Sequence, residues 1–240
     1  MLLNFDVTTD RLFSVGDLID RGPNSLDCAN LIYNPYFFSI RGNHEQLMID
    51  TMLHNNENMA MVWISNGGIW RFSCDDNELR VCAKDLQDLP LIISVGEGKD
   101  RFNIVHAELT HHQIVNGHPE IVRVTDQMID NWTFNEHDEQ DMIWGRTMIT
   151  RVNALNFNKT IRFHDETLSP TFVGHTQVRQ SVMVEKQIYI DTSAVNHHIS
   201  TNKSEENCLT IAEPNKRILH KFSMIHQTVE SIKFNAMPKY

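Results

Sequence analysis

Apolar residues in the first part of the chain gather in short runs that end in polar, loop-forming residues. Leu12-Phe13-Ser14-Val15 runs into Gly16-Asp17-Leu18-Ile19-Asp20-Arg21-Gly22, and Phe37-Phe38-Ser39-Ile40 leads to Gly42-Asn43-His44-Glu45. Runs of this length bounded by turn residues predict buried strands. A helical pattern follows each loop. Pro23-Asn24-Ser25 opens a helix through 33, with Pro near its first turn. The second helix, over 44–54, carries Leu47, Met48 and Met52 on an inward face. Two strand–loop–helix units with polar residues at the strand ends describe an α/β site, because open sheets take ligands beyond the carboxyl ends of their strands.

The pattern continues with a Met- and Trp-rich stretch over 59–70, broken by Asn66-Gly67-Gly68. It predicts a core helix ending at a glycine cap rather than a cofactor site. An amphipathic helix is expected over 77–89, stopped by Pro90, and a hairpin over 91–95 and 101–105 about Gly96-Glu97-Gly98-Lys99-Asp100. Residues 107–145 read as a long loop plus a short helix. Strands return at 171–173, 181–185, 187–190 and 208–212. Strands, helices and strands again imply an α/β (α+β) fold, a two-layer sheet core flanked by helices. No linker divides the chain, so a single domain over 1–240 is expected.

Composition narrows the picture. The 240 residues are 41% hydrophobic and 22% charged, ordinary for a globular protein with one well-buried core. A net charge of −10 argues against general nucleic-acid affinity, which depends on clustered Lys and Arg. No apolar stretch is long enough to span a bilayer, and the first residues lack a basic segment with a cleavage site, so no membrane partner is expected. The four cysteines (Cys28, Cys74, Cys82, Cys208) show no CxxC spacing, and reduced thiols in the cytoplasm are the expectation.

The two loops supply oxygen donors in Asp17 and Asn43, a basic fork in Arg21, and a carboxylate–histidine pair in Asp20 and His44. That set can grip a divalent metal and a phosphate together. Further along come Val105-His106-Ala107, Ile143-Trp144-Gly145-Arg146, Val173-Gly174-His175-Thr176 and Tyr189-Ile190-Asp191-Thr192. With these motifs in this order, the chain from about 5 to 194 resembles the phosphoprotein phosphatase family of calcineurin-like metallophosphoesterases. It is most similar to the compact bacterial and bacteriophage-type serine/threonine protein phosphatases.

The resemblance implies a metal-dependent phosphomonoesterase acting on a phosphorylated protein or peptide, in a bacterial cell or a phage-infected host. Asp17 is expected to bridge metals, because an anionic oxygen can be shared between hard cations. Asn43, His106 and His175 would complete one metal's shell. The oxygen and imidazole mixture suits Mn²⁺ first, then Fe or Zn²⁺. His44 is the expected general acid, with Asp20 holding its far nitrogen. Arg21 and Arg146 would fork the phosphoryl oxygens. The other histidines, including His111, His112, His197 and His198, read as solvated loop residues.

The family opens with an Asp-x-His-Gly strand end, and the sixteen residues before Asp17 contain no His. The expectation is therefore an N-terminally incomplete domain lacking the first strand and part of the first helix, with two ions in the family and one in this chain. A catalytically impaired relative that binds phosphorylated ligands is the first alternative. A diadenosine polyphosphate hydrolase is the second, since Gly16 to Leu26 also fits that pattern. Asp20 and Glu45 favour the protein phosphatases.

Overall fold

The structure, a computed structural model, describes residues 3–154, 167–196 and 207–237. It is a mixed α/β fold, as expected. Contacts group the chain into two compact units, Met1–Pro90 with Val195–Ser204, and Leu91–Ala194 with Glu205–Tyr240.

The first unit begins with β1 (Leu12–Ser14), α1 (Ser25–Ala29), β2 (Phe37–Ser39) and α2 (Asn43–Met52). Strands β1 and β2 pair in parallel, Leu12 opposite Phe37, so both of their carboxyl ends leave the pair on the same side. Two further helices are set by apolar spacing and local caps. In α4 (Asp76–Gln87), Leu79, Cys82, Ala83 and Leu86 recur at helical spacing and all are buried, while the Asp75 carboxylate accepts from the N–H groups of Asn77 and Glu78. Between α2 and α4 lies α3 (Glu57–Ser65), opened by Asn56 accepting from the Met59 N–H. Past its end Gly67 sits at φ +121°, the conformation that a glycine cap supplies. Trp63, Leu47, Met48, Ile49, Leu79 and Leu86 form the centre of this unit's core. Full burial of one such side chain stabilises by roughly 1.5–3 kcal/mol.

The second unit is built on a five-stranded sheet. Strands β3 (Ile92–Val95) and β4 (Phe102–Val105) form the expected antiparallel hairpin. Strand β4 lies parallel to β7 (Thr171–Val173), which lies parallel to β9 (Gln187–Tyr189), and β8 (Val182–Val184) closes the edge antiparallel to β9. Helices α5 (Asp126–Asp130), α6 (Glu136–Trp144) and α7 (Thr147–Ala154) contribute Ile129, Met142 and Ile149 to the core with Val105, Val173 and Tyr189. A separate antiparallel sheet is formed by β10 (Cys208–Glu213), β11 (Ile218–Ser223) and β12 (Val229–Lys233).

Residues 107–145 differ from the expected loop and short helix. They contain α5, α6 and an antiparallel hairpin, β5 (His111–Val115) and β6 (His118–Val122). The reason is local. Asn116 at φ 51° and Gly117 at φ 81° form the two-residue turn that the right-handed strand twist favours, with Val115 opposite His118 across it. The histidine assignment is corrected with it. His111 is buried on β5 with Nδ1 2.7 Å from Asp138 Oδ2, and His112 Nδ1 lies 3.0 Å from Asp138 Oδ1, so neither is a solvated loop residue. His197 and His198 lie outside the described residues.

Candidate active site

In the first unit, the carboxyl ends of the parallel pair β1 and β2 hold the two motif loops. The loop after β1 is bent through left-handed backbone at Gly16 (φ 86°), Asp17 (φ 56°), Asp20 (φ 76°) and Arg21 (φ 63°). A non-glycine residue in that region costs on the order of 1–3 kcal/mol, and such residues collect where a surrounding structure enforces them for function.

The enforcing group is Glu45, which is fully buried on α2. Its Oε2 accepts from the Asp17 N–H at 2.9 Å and the Gly42 N–H at 2.8 Å. Its Oε1 accepts from the Leu18 N–H at 2.7 Å and the Ile19 N–H at 3.4 Å. One carboxylate thus ties the first motif loop to the N-terminus of the helix that carries the second. Gly42 is glycine because a Cβ there would lie 2.7 Å from Asp17 N and from Glu45 Oε2.

Asp17 Oδ1 accepts from the His44 N–H at 3.2 Å, placing its negative charge at the N-terminus of α2, where the helix dipole favours it. His44 is 2% exposed, and its Nδ1 sits 2.5 Å from Asp20 Oδ2. Its Nε2 turns toward Asp17, 3.9 Å from Oδ2. Burial opposes protonation of the His44 ring, but the hydrogen bond to Asp20 and the charges of Asp17 and Asp20 outweigh it and raise the imidazole above its ordinary value, with Arg21 pulling the other way.

Asp20 is fixed by more than His44. The Trp63 indole N–H lies 3.0 Å from Oδ2, and the Trp70 indole N–H donates to Oδ1 at 2.6 Å. The 59–70 pattern by itself predicts both tryptophans as core residues only. Their spacing of seven, two helical turns, was the available signal, although Trp70 sits past the end of α3 in a 3₁₀ turn. Arg21 donates from Nε to the Asn66 carbonyl at 3.0 Å. Gly67 allows this approach, because a Cβ on it would meet Arg21 Cγ at 2.7 Å. Asn43 lies buried in the first turn of α2. The first unit therefore brings Asp17, Asp20, Arg21, Asn43 and His44 together.

The second unit repeats the arrangement on its parallel strands. His106 follows β4 and His175 follows β7, and the Gly174 N–H donates to the His106 carbonyl at 2.8 Å. Their ring centroids are 5.0 Å apart and their ring nitrogens lie within 4.8 Å of each other. His106 is 1% exposed, and His175 is held at φ 61°. Arg146, exposed between α6 and α7, donates from Nη1 to Thr176 Oγ1 at 3.1 Å, beside His175.

Glu108 is a further residue that sequence reasoning missed. Fully buried, it accepts from the N–H groups of Met148 at 2.8 Å and Ile149 at 2.9 Å and from the Tyr189 hydroxyl at 2.9 Å. Burial pushes its carboxyl above the ordinary range, and these three donors counter that only in part. The carboxylate and amide of the first unit, and separately the two adjacent imidazoles of the second, are donor types that a borderline divalent ion accepts.

The sequence has known relatives over most of its length. The family model described as calcineurin-like phosphoesterase matches residues 4–177. Serine/threonine-protein phosphatase 2 of Salmonella typhimurium is 30% identical over 194 residues, covering 80% of this chain and 78% of that protein. Serine/threonine-protein phosphatase 1 of the same organism is 31% identical over 195 residues, 80% of this chain and 76% of that protein. Serine/threonine-protein phosphatase 2 of Escherichia coli is 38% identical over 109 residues, 44% of this chain and 49% of that relative, so the match spans about half its length. A solved structure provisionally described as a diadenosine tetraphosphatase covers 96% of this chain and 83% of its own at 16% identity, with a TM-score of 0.46. Among the described residues, no helix is long and apolar enough to cross a membrane.

Proposed function

The chain belongs to the calcineurin-like phosphoesterase family, and from that premise we propose that it is a metal-dependent phosphomonoesterase of the serine/threonine protein phosphatase kind, acting in the cytoplasm on phosphorylated proteins or peptides. The observation that carries this reading is the buried Asp20–His44 pair, with His44 Nε2 turned away from Asp20 toward Asp17. Relatives with phosphatase names covering 80% of the chain support it.

Asp17, Asn43, His106 and His175 are the proposed ligands of a divalent ion, Mn²⁺ first and Fe or Zn²⁺ as substitutes. When bound, such an ion supplies an acidified water and neutralises phosphoryl oxygens. Arg21 and Arg146 would hold the remaining phosphoryl oxygens through planar, fixed-charge guanidinium groups. His44 would give the Nε2 proton to the leaving alkoxide as the P–O bond breaks. Asp20 would keep the ring oriented by accepting from Nδ1–H, and the two indole donors keep Asp20 itself from rotating.

The test is hydrolysis of a phosphoserine peptide with Mn²⁺, abolished by a chelator. His44→Asn should lower kcat by about 10²–10⁴, the usual scale of a positioned general acid. That loss should shrink on p-nitrophenyl phosphate, whose leaving group needs no proton, and metal content should hold. His175→Ala should lower metal content itself. A higher kcat/KM for diadenosine tetraphosphate than for the phosphopeptide would replace this reading with the dinucleotide hydrolase. Inactivity with Mn²⁺, Zn²⁺ and Fe²⁺ alike would replace it with a phospho-ligand-binding role.

A further inference from the structure

The second unit contains another cluster of metal-binding side chains, sharing no residue with the ligand set above. We propose that His112, His137 and Asp141 form a separate Zn²⁺ site that braces the β5–β6 hairpin against α6. One ligand atom from each of the three lies within 4.8 Å of the others.

The backbone makes this convergence regular. His137 and Asp141 are four residues apart on α6, so they share a face of the helix. His112 arrives from β5. The helix start is fixed by a reciprocal cap, in which Asn135 Oδ1 accepts from the His137 and Asp138 N–H groups and Asp138 reaches back to the Asn135 N–H. His137 is thereby placed in the first turn, exposed at the mouth of the cluster.

The orientation of His112 is the second observation. Its Nδ1 lies 3.0 Å from Asp138 Oδ1, and its backbone N–H donates to the same oxygen at 2.8 Å. Asp138 is fully buried, so this carboxylate is a fixed acceptor. A ring whose Nδ1–H is held by a carboxylate keeps its lone pair on Nε2, and metal-binding histidines are commonly oriented by such a carboxylate. Nε2 lies 3.6 Å from Asp141 Oδ2, and the rings of His112 and His137 have centroids 4.1 Å apart. Asp141 is oriented in turn by the Thr110 hydroxyl, which donates to Oδ2 at 2.7 Å.

Two imidazoles and one carboxylate with a fourth position open to solvent suit Zn²⁺ and disfavour Mg²⁺ and Ca²⁺, which ask for all-oxygen shells. The consequence would be mechanical. The Asp141 and Met142 carbonyls accept from the Glu108 and Ala107 N–H groups at 3.2 and 2.8 Å. An ion pinning α6 to β5 therefore steadies the segment that begins at His106.

The full chain is stripped with chelator, exposed to micromolar Zn²⁺, dialysed and analysed for metal. His137→Ala, an exposed position whose loss leaves the core intact, should retain one Zn²⁺ fewer than the parent chain. Its Zn²⁺-induced rise in Tm should shrink, and its affinity at this site should fall at least about tenfold, the lower scale for disturbing a metal shell. His112→Ala should do the same. In an Asp17→Asn/His175→Ala background one Zn²⁺ should remain, and Co²⁺ in its place should give the intense visible absorption of a tetrahedral ion. Equal Zn²⁺ uptake by parent and His137→Ala would overturn the proposal, as would a background chain that retains none. Retention in that background with no phosphopeptide hydrolysis by the parent chain would support this site while the phosphatase reading fails alone.

Discussion

Replacing Glu45 with Gln should unfasten the first motif loop, and the size of the effect follows from its partners. Asp17, Asp20 and Arg21 are non-glycine residues in left-handed backbone, each storing on the order of 1–3 kcal/mol. Against this stand four backbone N–H groups that donate to one buried carboxylate. Gln keeps the shape but turns one oxygen into an NH₂ donor. Whichever way the amide faces, it meets either the N–H pair of Asp17 and Gly42 or the pair of Leu18 and Ile19. Two bonds to a charged acceptor are lost, each worth about 1.5–3 kcal/mol, and buried donors are left facing a donor. The expected destabilisation of this unit is about 3–6 kcal/mol.

Urea titration reads the loss directly. Tryptophan fluorescence in a Trp132→Phe/Trp144→Phe background reports Trp63 and Trp70, both in the first unit. With a slope of about 1–3 kcal/mol/M, the midpoint should fall by roughly 2 M. Glu45→Asp should be similarly damaging, because the shorter side chain cannot reach both loops. A midpoint shift below about 0.5 M, or under about 1 kcal/mol, would refute the claim that this carboxylate holds the loop.

Trp70→Phe keeps the ring against Trp63 (centroids 6.1 Å apart) but removes the 2.6 Å donor to Asp20. A loss of about 1 kcal/mol should appear as a fall in phosphopeptide kcat of several-fold, with metal content unchanged; an unaltered kcat would remove Trp70 from the support of Asp20. Cys82 is 6% exposed, and burial, with the nearby charges of Asp85 and Glu45, pushes its thiol up to about 11. The folded state therefore holds the proton that the unfolded chain releases near its ordinary value, so this group's contribution to stability should fall as pH rises from about 9 toward 11. At pH 8, iodoacetamide should label Cys82 far more slowly in the folded chain than in urea, read by mass spectrometry, and equal rates would contradict its placement.

The parts of the fold legible in the sequence were those written in consecutive residues. The runs before Asp17 and Asn43, the 91–105 hairpin and the strand at Thr171–Val173 all announce themselves by short apolar stretches with turn residues between them. The hairpin at His111–Val122 also had its signal in Asn116-Gly117, but its strands, His-His-Gln-Ile-Val and His-Pro-Glu-Ile-Val, carry no regular apolar alternation. Strands β11 and β12 went unread for a similar reason. Ile-Leu-His-Lys-Phe-Ser and Val-Glu-Ser-Ile-Lys mix polar and apolar positions, as a strand with one wet face does. Trp63 and Trp70 could be placed in the core from composition, but the direction of an indole N–H is not written in spacing.

The hardest feature to foresee is one that both units use. Asn43 is followed two residues on by Glu45, and His106 two residues on by Glu108, and both glutamates are fully buried. Each accepts backbone N–H groups from a distant segment, 26 to 28 residues away for Glu45 and 40 or 41 for Glu108. Burying a carboxylate is costly unless its lone pairs are filled. Once they are filled, the group cannot shift without leaving several donors unsatisfied. A residue two positions upstream on the same short segment inherits that rigidity. Proposed ligands are thus fixed in place by an anion that need not touch the ion at all, and a sequence read for ligands alone passes over it.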